Sequence, residues 1–189
     1  MKKYEAGKIL PRSHHSYGDQ FLLQKKPQCL LSISLPAQTT YFVKAGSAGN
    51  GSSWSNASGD LQAINKASLE DNIFVAAGTY QPPVNSSFIM KQGVKIYGGF
   101  AGMETSLSQR NLSAGDTSKL KRNGSRVVRN DFNHLDSTAI LDGFTITDGS
   151  GVKNLNPTTT YGGGILNYYS APAITNCVFA NNSASYGGG

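Results

Sequence analysis

The C-terminal end of this chain repeats itself, and that repetition constrains the fold more than any other feature. Tyr161-Gly162-Gly163-Gly164 returns as Tyr186-Gly187-Gly188-Gly189, an offset of 25 (186 − 161). Leu141-Asp142-Gly143-Phe144-Thr145-Ile146 is echoed by Ile174-Thr175-Asn176-Cys177-Val178-Phe179, an offset of 33 (174 − 141). The two offsets differ because the polar tract GVKNLNPTTT lengthens one copy. Self-similarity at a period of about 20–50 residues marks a repeat architecture in which each unit stacks on its neighbour.

The apolar runs inside the repeat are only a few residues long, rich in β-branched and aromatic types, and punctuated by Gly, Asn, Asp or Pro. Such runs are strands. No helix fits between them, which excludes ankyrin, tetratricopeptide and HEAT arrays. Gly143 and Asn176 fall where a strand must turn a corner, and both tolerate positive φ. The expected fold is therefore all-β, a parallel β-helix solenoid with one coil per repeat.

The run Gly162-Gly163-Gly164-Ile165 and the segment Phe179-Ala180-Asn181-Asn182 resemble the GG-aliphatic and F-x-x-N repeats of the chlamydial polymorphic outer-membrane proteins. Related repeats occur in large secreted bacterial surface proteins. The resemblance implies a right-handed β-helix of the pectin lyase-like type, displayed at the cell surface or outer membrane and acting in adhesion. Gly162, Gly163, Gly164, Ile165, Phe179, Asn182, Gly187, Gly188 and Gly189 are its repeat positions.

Composition agrees with a turn-rich β protein: charged residues make up 15% of the chain and glycine numbers 22. Most of the +6 net charge is local. Residues 1–38 hold six Lys/Arg against two Asp/Glu, so +4 falls there. That stretch reads as a signal-peptide-like leader, with Lys25 and Lys26 before the apolar run CLLSISLPA and a cleavage zone ending near Thr39. A disordered tail is the competing reading, and the start codon is expected near Lys25 unless the upstream residues are a gene-model artefact. The folded domain is expected over 39–189 and, since the chain stops on the opening glycines of another coil, as a fragment of a longer protein.

Within that domain, residues 41–45 read as a first strand and Trp54 as an anchor on the first coil. A capping helix is expected over 60–69, with Asp60 as N-cap and Leu61, Ile64 and Ala67 at helical spacing. Residues 72–78 should pair with 93–99, Ile73 against Val94 and Val75 against Ile96. Residues 101–125 read as an excursion. Basic residues 119–129 could suggest a nucleic-acid contact, but the solvated-loop reading is favoured and no nucleic-acid partner is expected.

No catalytic constellation is present. A hydrolase would need converging carboxylates, and a lyase clustered acids for Ca²⁺. Asp131, Asp136, Asp142 and Asp148 are the candidates, and Asp142 and Asp148 read as turn residues instead. His134 reads as a surface loop position. Cys177 reads as an inward small hydrophobe, which rejects a Cys177–His134 nucleophile pair. No metal or cofactor is expected. The functional expectation is non-enzymatic display and adhesion, secreted or at the outer-membrane surface, with glycans or cell-surface proteins as partners. Contact with a membrane would come only through a separate anchoring or export module. Tyr161, Tyr168, Tyr169 and Tyr186 are the candidate ligand-facing residues. The alternative is the N-terminal part of a β-helix polysaccharide lyase or glycoside hydrolase whose catalytic coils lie elsewhere.

Overall fold

Short strands with one inward and one outward face bury little by themselves, and here they are stacked side by side in parallel. A computed structural model of the chain describes residues 37–122, 124–153 and 159–188. The leader expected over 1–38 lies outside these residues except for its last two, and Gly189 lies outside them as well.

The strands, in chain order, are β1 (Thr40–Val43), β2 (Asn72–Ala76), β3 (Gly78–Tyr80), β4 (Lys95–Phe100), β5 (Ser118–Lys121), β6 (Val128–Asp131), β7 (Ile140–Asp142), β8 (Phe144–Thr147), β9 (Val152–Lys153), β10 (Thr160–Tyr161), β11 (Ile165–Tyr168), β12 (Ala173–Thr175) and β13 (Val178–Ala180). Among the described residues, one four-residue helix, α1 (Ala63–Lys66), and two 3-10 turns complete the elements. The described chain is all-β, and its sheets are parallel apart from the two-residue pair β9–β10.

The largest sheet runs β1-β2-β4-β7-β12, the second runs β3-β5-β8-β13, and β6 pairs with β11 in a third. Phe88 extends the third by a bridge to Val128. All three sheets contribute to one apolar cluster: Val43, Ile73, Ile96 and Leu141 from the first, Tyr80, Leu120, Phe144 and Ile146 from the second, and Phe88 and Val128 from the third. In β2 and β8 the alternation of side chains sends every second residue, Ile73 and Val75, Phe144 and Ile146, into that cluster.

Both echoes of the sequence appear as stacked pairs. Ile174 lies beside Leu141 and Phe179 beside Ile146, so the offset of 33 is the register between β7-β8 and β12-β13. Tyr161 bridges to Tyr186, and the amides of Gly162, Gly163 and Gly164 donate to the carbonyls of Tyr186, Gly187 and Gly188. Gly143 (φ +79°) and Asn176 (φ +50°) both turn the corner between consecutive strands. At Gly143 a Cβ would also lie 2.9 Å from the Gly98 carbonyl oxygen, so only glycine fits.

Five expectations need correction. The helix expected over 60–69 is confined to α1, whose N-cap is Gln62. Asp60 instead accepts from the Gln62 amide in a local turn, and Asp71 takes the Ser68 amide while Lys91 donates to the Ala67 carbonyl. Those captures hold Ala67 extended and end the helix, yet Leu61, Ile64 and Ala67 remain buried as expected.

The β2–β4 register places Ile73 opposite Ile96 rather than Val94. Val94 is held back in a turn, its amide donating to the Lys91 carbonyl, so pairing starts one residue later. A shift of two residues keeps the same faces inward. Residues 118–121 are not part of an excursion but form β5, with Ser118 and Leu120 buried and Lys119 outward. The basic tract 119–129 is therefore no solvated loop: it includes β5 and the start of β6, with Val127 and Val128 in the core.

Finally, Asp142 is not a turn residue. It closes β7 as a buried carboxylate, paired with Arg110 at 2.5 Å and accepting from Thr175 Oγ1 and Asn176 Nδ2. Arg110 arrives from the excursion, lies over the rings of Tyr97 and Phe100, and donates to the Gly98 carbonyl. It pins the segment after β4 across the outer face of the first sheet. Trp54 anchors the same face, edge-on to Phe42 at 4.9 Å and donating to the Glu104 carbonyl.

Candidate functional site

The third sheet carries the surface best suited to hold a ligand. In the β6–β11 register Arg129 lies beside Leu166 and Asp131 beside Tyr168. These are the outward positions, because Val128 and Asn130 between them are buried. The inward side is fixed by a side-chain ladder, in which Asn130 accepts from the Met90 amide and donates to Asn167 Oδ1 at 2.8 Å. A buried amide with partners on both sides fixes which residues of β6 point out.

A cleft of about 690 Å³ opens over this face, lined by Arg126, Arg129, Asp131, Phe132, Tyr161, Leu166 and Tyr168. Arg129 holds Asp131 by Nε and Nη2, the latter at 2.6 Å. Arg126 stands just before β6 in the wall, and its Nε donates to the Tyr161 carbonyl at 2.9 Å. Burial, followed by the charge of Arg129, holds its pKa below the ordinary arginine value.

Aromatic rings border the cleft. Phe132 and Tyr169 follow β6 and β11, and both adopt left-handed backbone, φ +54° and +51°. Their rings stack at 5.0 Å and 14°, and Tyr168 meets both edge-on. A bulky residue in that region costs about 1–2 kcal/mol, and here two stacked chains accept the cost at the same corner while leaving the rings exposed. Tyr161 stacks on Tyr186 at 5.3 Å and 17°. All four nominated tyrosines are thus exposed. The structure gathers them into two aromatic clusters, with Tyr161 and Tyr168 on the cleft itself.

Sequence reasoning missed Phe132, Arg126, Arg129 and Leu166 as members of the site. Phe132 could have been found by aligning it with Tyr169, since Asp131 and Tyr168 are paired. The arginines carry no such signal.

The repeat positions have structural work instead. Asn182 donates to the Ile146 carbonyl and accepts from the Gly149 amide, both at 2.9 Å, tying one layer to the next. A Cβ at Gly163 would lie 2.6 Å from the Ser183 carbonyl oxygen, and one at Gly164 would lie 3.0 Å from the Phe179 ring. Ile165 packs on the core. Phe179 is in register with buried Ile146 but is itself exposed, and Gly187 and Gly188 accept from the stacked glycines before them.

The other polar candidates are dispersed. Asp131 pairs with Arg129, Asp148 with Lys121, and Asp142 with Arg110. Asp136 accepts from the amide and hydroxyl of Thr138, which hold its pKa below the ordinary value. Among the described residues no group of three His, Cys, Asp or Glu could hold a metal ion, and no helix is long and apolar enough to cross a membrane. His134 is exposed. Cys177 packs against the core, and burial pushes its thiol pKa up. Compared with known proteins, the chain matches no family model, no curated protein and no solved structure.

Proposed function

We propose that the parallel ladders wind as a right-handed β-helix, with α1 covering one end of the core, and that the protein acts at a cell surface in display and adhesion. Right-handed winding is the expected sense for parallel strands joined by crossovers. The resemblance of the glycine triplets and the F-x-x-N segment to polymorphic outer-membrane protein repeats supports the surface reading, and the interlayer role of Asn182 gives that motif a physical purpose. The ligand surface is the aromatic-rimmed cleft on β6 and β11, and its ligands are glycans.

One observation carries the binding role: Phe132 and Tyr169 hold exposed, stacked rings on left-handed backbone that asparagine would occupy at lower cost. Exposed rings of this kind offer flat apolar faces on which a sugar ring stacks.

The test is retention of the full chain on an array of immobilised oligosaccharides. The double variant Phe132→Asn with Tyr169→Asn removes both rings and suits the backbone, so far-UV circular dichroism should be unchanged. Each lost ring contact is worth about 0.5–1.5 kcal/mol, so retention should fall about tenfold. Undiminished binding by this variant, and by alanine at Tyr161, Tyr168, Tyr169 and Tyr186 together, would dismiss the reading.

A further inference from the structure

We propose that the cleft takes a linear oligosaccharide laid along β6 and β11 and held by rings at both ends, in preference to a single sugar, an inference that rests on the glycan-binding reading above. The two aromatic clusters stand at opposite ends of this strand pair. At one end the Tyr161 carbonyl accepts from Arg126, just before β6, and the Tyr161 ring stacks on Tyr186. At the other end Tyr168 lies beside Asp131, and the Phe132 ring meets that of Tyr168 edge-on. The backbone between them is in parallel register throughout. The Val127 and Val128 amides donate to the Gly163 and Gly164 carbonyls, and Ile165 to Tyr168 pair with Val128 to Asp131. A parallel strand advances about 3.3 Å per residue, so β11 spans about 10 Å from end to end. A single pyranose that covers one ring does not reach across it.

Tyr161, Tyr168 and Phe132 nonetheless line one cleft, with Leu166 facing outward between them. The charges on that stretch of β6 are committed to each other, since Arg129 bonds Asp131 through Nε and Nη2. What the cleft reads is therefore reach between ring faces rather than charge. Each cluster also holds its rings in place by stacking, Tyr161 on Tyr186 and Phe132 on Tyr169. A ring already fixed loses little freedom when a ligand settles on it. Joining two contacts in one ligand makes the second intramolecular, and that gain vanishes when the ligand is too short to span both. The outer face of the second sheet lacks this arrangement: Thr79, Lys119, Lys121, Thr145 and Thr147 line a hollow there without a ring.

The experiment is calorimetric titration of the full chain with two homologous series, glucose to cellohexaose and N-acetylglucosamine to chitohexaose. In the series that binds, the Kd should fall about tenfold between the monosaccharide and the first member that spans both clusters, the worth of a further ring contact, and then level off. Tyr161→Thr removes the ring at one end of the cleft, and Phe132→Asn with Tyr168→Thr removes those at the other. Either variant should bring the hexasaccharide to the Kd of the monosaccharide. The monosaccharide itself should lose no more than about twofold, because one cluster remains to it. Its retained binding also shows that each variant is folded.

A Kd that does not change with length overturns the bridging while leaving glycan binding intact. Binding of neither series overturns both. A length dependence that survives either variant places the added contact elsewhere and overturns the proposal.

Discussion

Removing Arg110 alone should cost more than removing its whole ion pair. In the folded chain Arg110 and Asp142 are both nearly buried, their side chains 10% and 8% exposed, at a separation of 2.5 Å. Arg110→Ala leaves the Asp142 carboxylate among Thr175 and Asn176 donors with no countercharge. An uncompensated buried charge costs about 3–5 kcal/mol. Asp142→Asn strands the guanidinium against the Gly98 carbonyl and two rings and should cost about 3 kcal/mol by the same argument. The double variant Arg110→Met with Asp142→Asn buries no charge. It loses mainly the donor to Gly98, worth about 1 kcal/mol.

The assay is urea unfolding followed by circular dichroism. With a slope of about 1–3 kcal/mol/M, each single variant should lower the midpoint by about 1–5 M, and the double by about 1 M or less. Two results would refute the reasoning. If each single change costs under about 1 kcal/mol, the pair behaves as a solvated surface bridge. If the double costs the sum of the singles, the two residues do not act on each other.

Asn182→Leu should lower stability by about 1–3 kcal/mol, because the Gly149 amide and the Ile146 carbonyl both lose their partner; thermal melts measure it. In the same melts Gly163→Ala should be destabilising, since its Cβ meets fixed backbone at Ser183, whereas Gly187→Asn, at φ +64° with open space around it, should be close to neutral. Burial raises the Glu104 pKa, but the amides of Ala101, Gly102 and Met103 outweigh it, and the net shift is downward from 4.5. A lowered pKa means that the Glu104 contribution is complete above about 4.5 and is lost as pH falls through the folded value. Stability measured from pH 6 to 3 should therefore fall less steeply in Glu104→Gln than in the parent chain. Burial raises the Cys177 pKa above its ordinary 9.0, and since the thiolate is the nucleophile, iodoacetamide at pH 8 should label Cys177 more slowly in the native chain than in urea, read by peptide mass spectrometry.

The nominated surface was half legible beforehand. Tyr161 and Tyr186 open the two copies of the glycine repeat, and Tyr168 and Tyr169 are nominated with them as loop aromatics. Phe132 and the two arginines were hidden because their companions lie on another strand. Arg129 belongs to a basic tract that looks solvated until β6 turns it outward beside Leu166. Asp142 was misread for the same reason, since its partner Arg110 reaches it from a loop with no periodicity at all.

The sequence by itself determined that the chain is built of short stacked strands and, where the C-terminal repeat is explicit, which residues lie above which. Parallel stacking sets equivalent residues of neighbouring layers side by side, so Leu141 with Ile174 and Tyr161 with Tyr186 can be read from the repeat offsets alone. Backbone corners are equally local, because Gly143 and Asn176 are residues that tolerate positive φ. Only the tertiary structure decided where α1 ends, how β2 registers on β4, which side of the third sheet faces out, and what stands opposite each charge. Those outcomes depend on contacts such as Asp71 to Ser68, Asn130 to Asn167 and Arg110 to Asp142. Each is a single pair, satisfied only once the layers are in place, and no period in the chain announces it.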